Sequence, residues 1–83
     1  MENLGYHTTK IEKGEIGKIS KIFEELYELQ DAEKQNCKIM MMVELSDLYG
    51  AIEEYSKNMG IDMSDLQSFS NITKRAFING HRK

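Results

Sequence analysis

Proline is absent from this 83-residue chain, which removes the strongest helix breaker and favours long uninterrupted helices. The one cysteine, Cys37, excludes a disulfide framework and reads as a packed spectator thiol. No run approaches the ~18 apolar residues that a bilayer-spanning helix needs, and no signal-peptide hydrophobic region follows the N-terminus. A soluble, cytoplasmic protein with no membrane partner is expected. The net charge of −3 provides no basic field for a nucleic-acid backbone. Lys74, Arg75, Arg82 and Lys83 gather near the C-terminus, too few to hold a duplex, so no nucleic-acid partner is expected. Glycine-rich phosphate loops, dinucleotide fingerprints and zinc-ligand spacings are missing as well. His7 and His81 have no partner at metal or triad spacing and receive no role.

What remains is a single small domain, 1–83, with an all-α pattern. Residues 1–14 lack a helical period; Gly5, Thr8, Thr9, Ile11 and Gly14 suggest an extended lead-in or a short strand. From Glu15 to about Glu33, apolar residues fall at Ile16, Ile19, Ile22/Phe23, Leu26 and Leu29, spaced by three and four. That predicts an amphipathic helix roughly 28 Å long, with Phe23, Leu26 and Leu29 packed against the next helix. "KQNC" (34–37) breaks the pattern, with Asn36 as the expected N-cap. A second helix is predicted from about Lys38 to Met59, stopping at Gly60. "SDLQ" (64–67) reads as a capping box opening a third, shorter helix that ends near Gly80, with a stripe of Leu66, Phe69, Ile72 and Phe77. The N-terminal half of the second helix is apolar nearly all round, a pattern of helices buried on most sides. Two long antiparallel helices and one shorter helix cannot cover it. A four-helix bundle core completed by oligomerisation, as a homodimer or homotetramer, is therefore expected.

Acids interrupt that apolar run. Glu44 has apolar neighbours on both sides of the helical wheel, and Asp47 follows one turn later. Burying an unpaired carboxylate costs several kcal/mol, so something must compensate Glu44 or protonate it. Glu25 and Glu28 on the first helix share the same i, i+3 relation. Antiparallel packing can bring the four together, and such a cluster needs a divalent cation to relieve its repulsion. Oxygen ligation of this kind suits Mg²⁺, with Mn²⁺ a possible substitute. An E-x-x-E alone is ordinarily a solvated face; the second pair, inside an apolar run, is less easily explained so. Met40, Met41 and Met42 read as adaptable packing. Tyr27, Tyr49 and Tyr55 could stack on a base, though tyrosines are commonly just packed.

"EELYEL" (24–29) followed by "VELSDLYGAI" (43–52) resembles the MazG-type all-α nucleoside triphosphate pyrophosphohydrolases, over about residues 16–60. "ITKRAFINGHR" (72–82) is similar to a basic helix-end segment of that family. The resemblance implies cleavage of a (d)NTP between its α and β phosphates to (d)NMP and pyrophosphate. It implies Glu25, Glu28, Glu44 and Asp47 as metal ligands and Glu24 as the catalytic residue that positions or deprotonates water. It implies Lys74 and Arg75 as contacts to the substrate phosphates; Asn71 stands where some members carry lysine. The alternative is a non-catalytic MazG-like helical protein that binds a nucleotide or a partner protein.

Overall fold

The spacing of three and four becomes three helices in a computed structural model that describes residues 7–80: α1 (Ile19–Lys34), α2 (Lys38–Asn58) and α3 (Met63–Ile78). No strand occurs among the described residues, so the extended lead-in of 7–14 pairs with nothing as a sheet. Gly5, His81, Arg82 and Lys83 lie outside the described residues.

Helix α1 starts four residues later than the apolar period suggests. Gly17 takes φ +86°, a left-handed conformation that favours glycine and cannot continue a helix. Asn58 Nδ2 donates to the Gly17 carbonyl at 3.0 Å, tying the start of α1 to the end of α2. Ile16 thus falls in a turn and is exposed. With a three-residue link at 35–37 between them, α1 and α2 form an antiparallel hairpin. Asn36 is not an N-cap: its φ of +54° lets it make the turn, a conformation asparagine tolerates. Cys37 occupies the N-cap position of α2, without a side-chain hydrogen bond. The C-terminal stop is as expected, with Met59 as C-cap and Gly60 at φ +72°.

Asp62, rather than Ser64, caps α3: its carboxylate accepts from the Ser64 N–H at 2.7 Å and the Ser64 hydroxyl at 2.5 Å. The N-cap therefore lies two residues before the expected one. At 16 residues α3 is as long as α1, so only α2, at 21, stands out in length. It touches α2 but not α1, and none of its residues is buried.

The packing between α1 and α2 is inverted relative to an ordinary helical pair. Buried on α1 are Glu24, Glu25, Asp31 and Ala32; on α2 they are Glu44, Ala51 and Ser56. Ala32 and Ala51 are the only buried apolar residues among those described, small enough to let the backbones approach. Phe23 is 50% exposed, Leu26 45% and Leu45 53%. Phe23 and Leu26 therefore do not pack α1 against α2 as the stripe suggests; the acidic flank occupies that interface instead. Phe23 and Tyr27 stack on the outer side, ring centroids 6.3 Å apart.

Candidate metal centre

The inward face of α1 is written at a spacing of three and four through Glu24/Glu25, Glu28 and Asp31/Ala32, and that of α2 through Glu44, Asp47/Leu48 and Ala51. The hairpin brings one carboxylate oxygen from each of Glu25, Glu28, Glu44 and Asp47 within 4.8 Å of one another. Glu44 is fully buried, Glu25 buried, Glu28 half-buried and Asp47 exposed at the mouth. An open cleft adjoins this mouth, lined by Lys21, Glu25, Ser46, Asp47 and Glu54 above Gly50 and Ala51. All four acids expected from their spacing thus meet.

Crowding shows in the titration of Glu28. Burial pushes its pKa up, and the adjacent carboxyls of Glu44 and Glu25 push it further, to about 8. At neutral pH, without a cation, Glu28 holds a proton between its neighbours. Glu25 takes one cation: its Oε1 lies 3.2 Å from Lys21 Nζ. Its other oxygen, Oε2, is buried and has no hydrogen-bond partner. A buried carboxylate oxygen left this way costs on the order of 1–3 kcal/mol or more. The donor set, four carboxylates with one mouth open to water, fits a hard divalent cation of the Mg²⁺ or Mn²⁺ type.

Glu24 sits beside this cluster and is not part of it. Its Oε1 accepts from the Gly14 N–H at 2.7 Å and from Lys21 Nζ at 3.1 Å, and Lys13 Nζ is 3.7 Å from Oε2. Burial would raise its pKa, but these donors and charges override that and hold it below the ordinary value. Lys21 bridges Glu24 and Glu25; although burial opposes its charge, the two carboxylates raise its pKa. Lys21 was not among the residues expected at the site, although its i, i+3 and i, i+4 spacing to the two glutamates is a signal. Lys74 and Arg75 are exposed on α3, and α3 does not contact α1. Within one chain they are not gathered with the acids.

A second set was hidden from local spacing. Asp31 is buried, and it accepts from Thr8 N–H at 3.0 Å, from the Thr8 hydroxyl and from Gln35 Nε2 at 2.9 Å. His7 Nδ1 lies 3.0 Å from the same carboxylate. Burial would raise the Asp31 pKa, but the Thr8 hydroxyl and N–H, His7 and Gln35 drive it far below the ordinary carboxylate range. The other ring nitrogen, Nε2, is 3.8 Å from Glu44 Oε1. His7, Glu28 and Glu44 each offer one ligand atom within 4.8 Å of the others. The one sequence signal was Asp31 itself, a turn after Glu28 on the same face; nothing local pointed to a histidine 24 residues away.

No protein-family model, no curated protein and no solved structure matches this chain.

Proposed function

We propose that this chain is a Mg²⁺-dependent nucleotide pyrophosphohydrolase, cleaving a (d)NTP between its α and β phosphates. One observation carries the reading: Glu25, Glu28, Glu44 and Asp47 converge from two helices on one point beside an open cleft. The buried, unpartnered Glu25 Oε2 and the proton forced onto Glu28 support a cation there, because both strains disappear when a cation takes the proton's place. When bound, Mg²⁺ would neutralise the phosphate oxygens and lower the pKa of an attacking water.

The protein groups then have separate tasks. Glu25, Glu28 and Glu44, buried or half-buried, hold the cation; Asp47 closes the set at the mouth, where substrate enters. Glu24 is a weak base with its depressed pKa, so its task is to position water rather than to deprotonate it. Lys21 lines the cleft and places a positive charge where an anionic phosphate tail would lie. Lys74 and Arg75 would reach that tail from α3 of a second copy.

Exposed apolar side chains support the oligomer. The outward stripe of Ile19, Phe23 and Leu26 and the α3 residues Phe69 and Ile72 are the apolar surface a homodimer or homotetramer would cover.

Incubation of purified protein with Mg²⁺ and a panel of nucleoside triphosphates is expected to release pyrophosphate and nucleoside monophosphate. Glu44→Gln or Asp47→Asn is expected to lower the rate at least about 100-fold, the scale of losing a ligand or a transition-state contact. Release that survives both substitutions would contradict the assignment. The remoteness of Lys74 and Arg75 from the acids favours a second reading, nucleotide or partner binding without cleavage. That reading predicts a Mg²⁺-dependent thermal shift with a non-hydrolysable nucleotide and no turnover.

A further inference from the structure

The four acids share their cleft with a cation of the chain's own. We propose that Lys21 is the resident counter-ion of the acidic site, holding Glu25 when no metal is bound and giving it up to the divalent cation that enters. The proposal rests on reading the four acids as a cation site, and does not depend on hydrolysis.

The placement of Lys21 carries it. The side chain stands one helical turn before two glutamates, at i, i+3 from Glu24 and i, i+4 from Glu25, so it reaches both. Its Nζ donates to Glu24 Oε1 at 3.1 Å and lies 3.2 Å from Glu25 Oε1. The two carboxylates are not equal partners. Glu24 also accepts from the Gly14 N–H at 2.7 Å and has Lys13 Nζ at 3.7 Å, so it keeps a donor and a charge when Lys21 moves. Glu25 is less well served. Glu28, Glu44 and Asp47 crowd it with further carboxyls, and its Oε2 is buried with no hydrogen-bond partner. The ammonium therefore compensates one oxygen of Glu25 and leaves the other bare. A divalent cation gathered by the four acids brings twice the charge to the same carboxylate and repels the ammonium beside it. Lys21 has somewhere to go: its side chain is 25% exposed and lines the open cleft with Asp47, on a flexible four-carbon stem.

Such an exchange sets the affinity of the site. Lys21 steadies the metal-free form and opposes the metal-bound one. A unit positive charge about 6 Å from a divalent cation weakens its binding on the order of tenfold, even at the dielectric of water. The competing arrangement is a static ion pair that stays with Glu24 and Glu25 whether or not metal binds, and its removal leaves metal affinity unchanged or weaker.

Calorimetric titration of Mg²⁺ at pH 8.5 into the full chain, Lys21→Gln and Lys18→Gln separates the two. Lys18 is exposed and pairs with Glu15, so it controls for the change in net charge. Lys21→Gln is expected to bind Mg²⁺ about tenfold more tightly than wild type, and Lys18→Gln within about twofold of it. Unchanged or weaker binding by Lys21→Gln, or an equal gain in Lys18→Gln, overturns the proposal and leaves the cation site standing. No Mg²⁺ binding by any of the three overturns both. Wild-type protein with ¹⁵N-labelled lysine gives a second measurement that needs no folded variant. The Lys21 Nζ resonance, assigned through its own side chain, is expected to shift as Mg²⁺ saturates the site; a resonance that stays in place at saturation overturns the proposal. Tighter binding by Lys21→Gln without pyrophosphate release from any nucleotide by the wild type would overturn the hydrolase reading and leave Lys21 the counter-ion.

Discussion

Glu28 holds a proton that the unfolded chain would not. Its pKa rises from 4.5 to about 8 on folding, so between those values the folded state binds more protons than the unfolded state. Stability therefore falls as pH rises through that window. Thermal melts in a chelator are expected to show a lower melting temperature at pH 8.5 than at pH 5.5, and Glu28→Gln should flatten the slope. With saturating Mg²⁺ the trend should reverse, because the cation displaces the proton more easily as pH rises. Asp31 behaves in the opposite sense: its depressed pKa means that its contribution is complete at neutral pH and lost only in strong acid. Asp31→Asn weakens charge-assisted hydrogen bonds from Thr8, His7 and Gln35 and is expected to cost about 2–3 kcal/mol at pH 7. Urea denaturation measures this directly.

The α1–α2 hairpin buries acids and two alanines at its interface while Phe23, Leu26, Tyr27, Leu45 and Tyr49 are exposed. A helix pair seldom does this without a use for the buried charge. Replacing Glu44 by an apolar residue of similar length removes the desolvation cost, so Glu44→Met is expected to stabilise the metal-free chain by about 1–3 kcal/mol. The same variant should lose its thermal response to Mg²⁺, a trade of function against stability. Gly14→Ala should act locally: a Cβ there collides with the Ser20 backbone and displaces the Gly14 N–H from Glu24. A lowered melting temperature is the expected result. The existence of the helices was legible from apolar residues three and four apart, and the four acids from their paired spacing. Which flank of α1 meets α2 was not, because the apolar stripe and the acidic flank compete and a single chain offers no rule for choosing. The start of α1 was misplaced because Gly17 and Asn58 meet only in three dimensions. His7 stayed hidden for the same reason, its partners lying 24 and 37 residues away.

The described helices are drawn out rather than gathered into a compact bundle, α3 touching α2 but not α1. Among the described residues there is almost no apolar core, and no helix is long and apolar enough to cross a membrane. The proposed self-association would cover the outward apolar stripes. Sedimentation equilibrium is expected to return a mass of two or four times 9.6 kDa, and Phe23→Glu to shift it towards the monomer with loss of helical content. The proposed activity nonetheless depends on the acidic interface. Its most direct test is calorimetric titration of Mg²⁺ and Mn²⁺ into wild-type protein and Glu44→Gln. The four-carboxylate site predicts saturable binding by the wild type, weakened at least about tenfold in the variant. Absence of binding by the wild type, or equal binding by both, would contradict it.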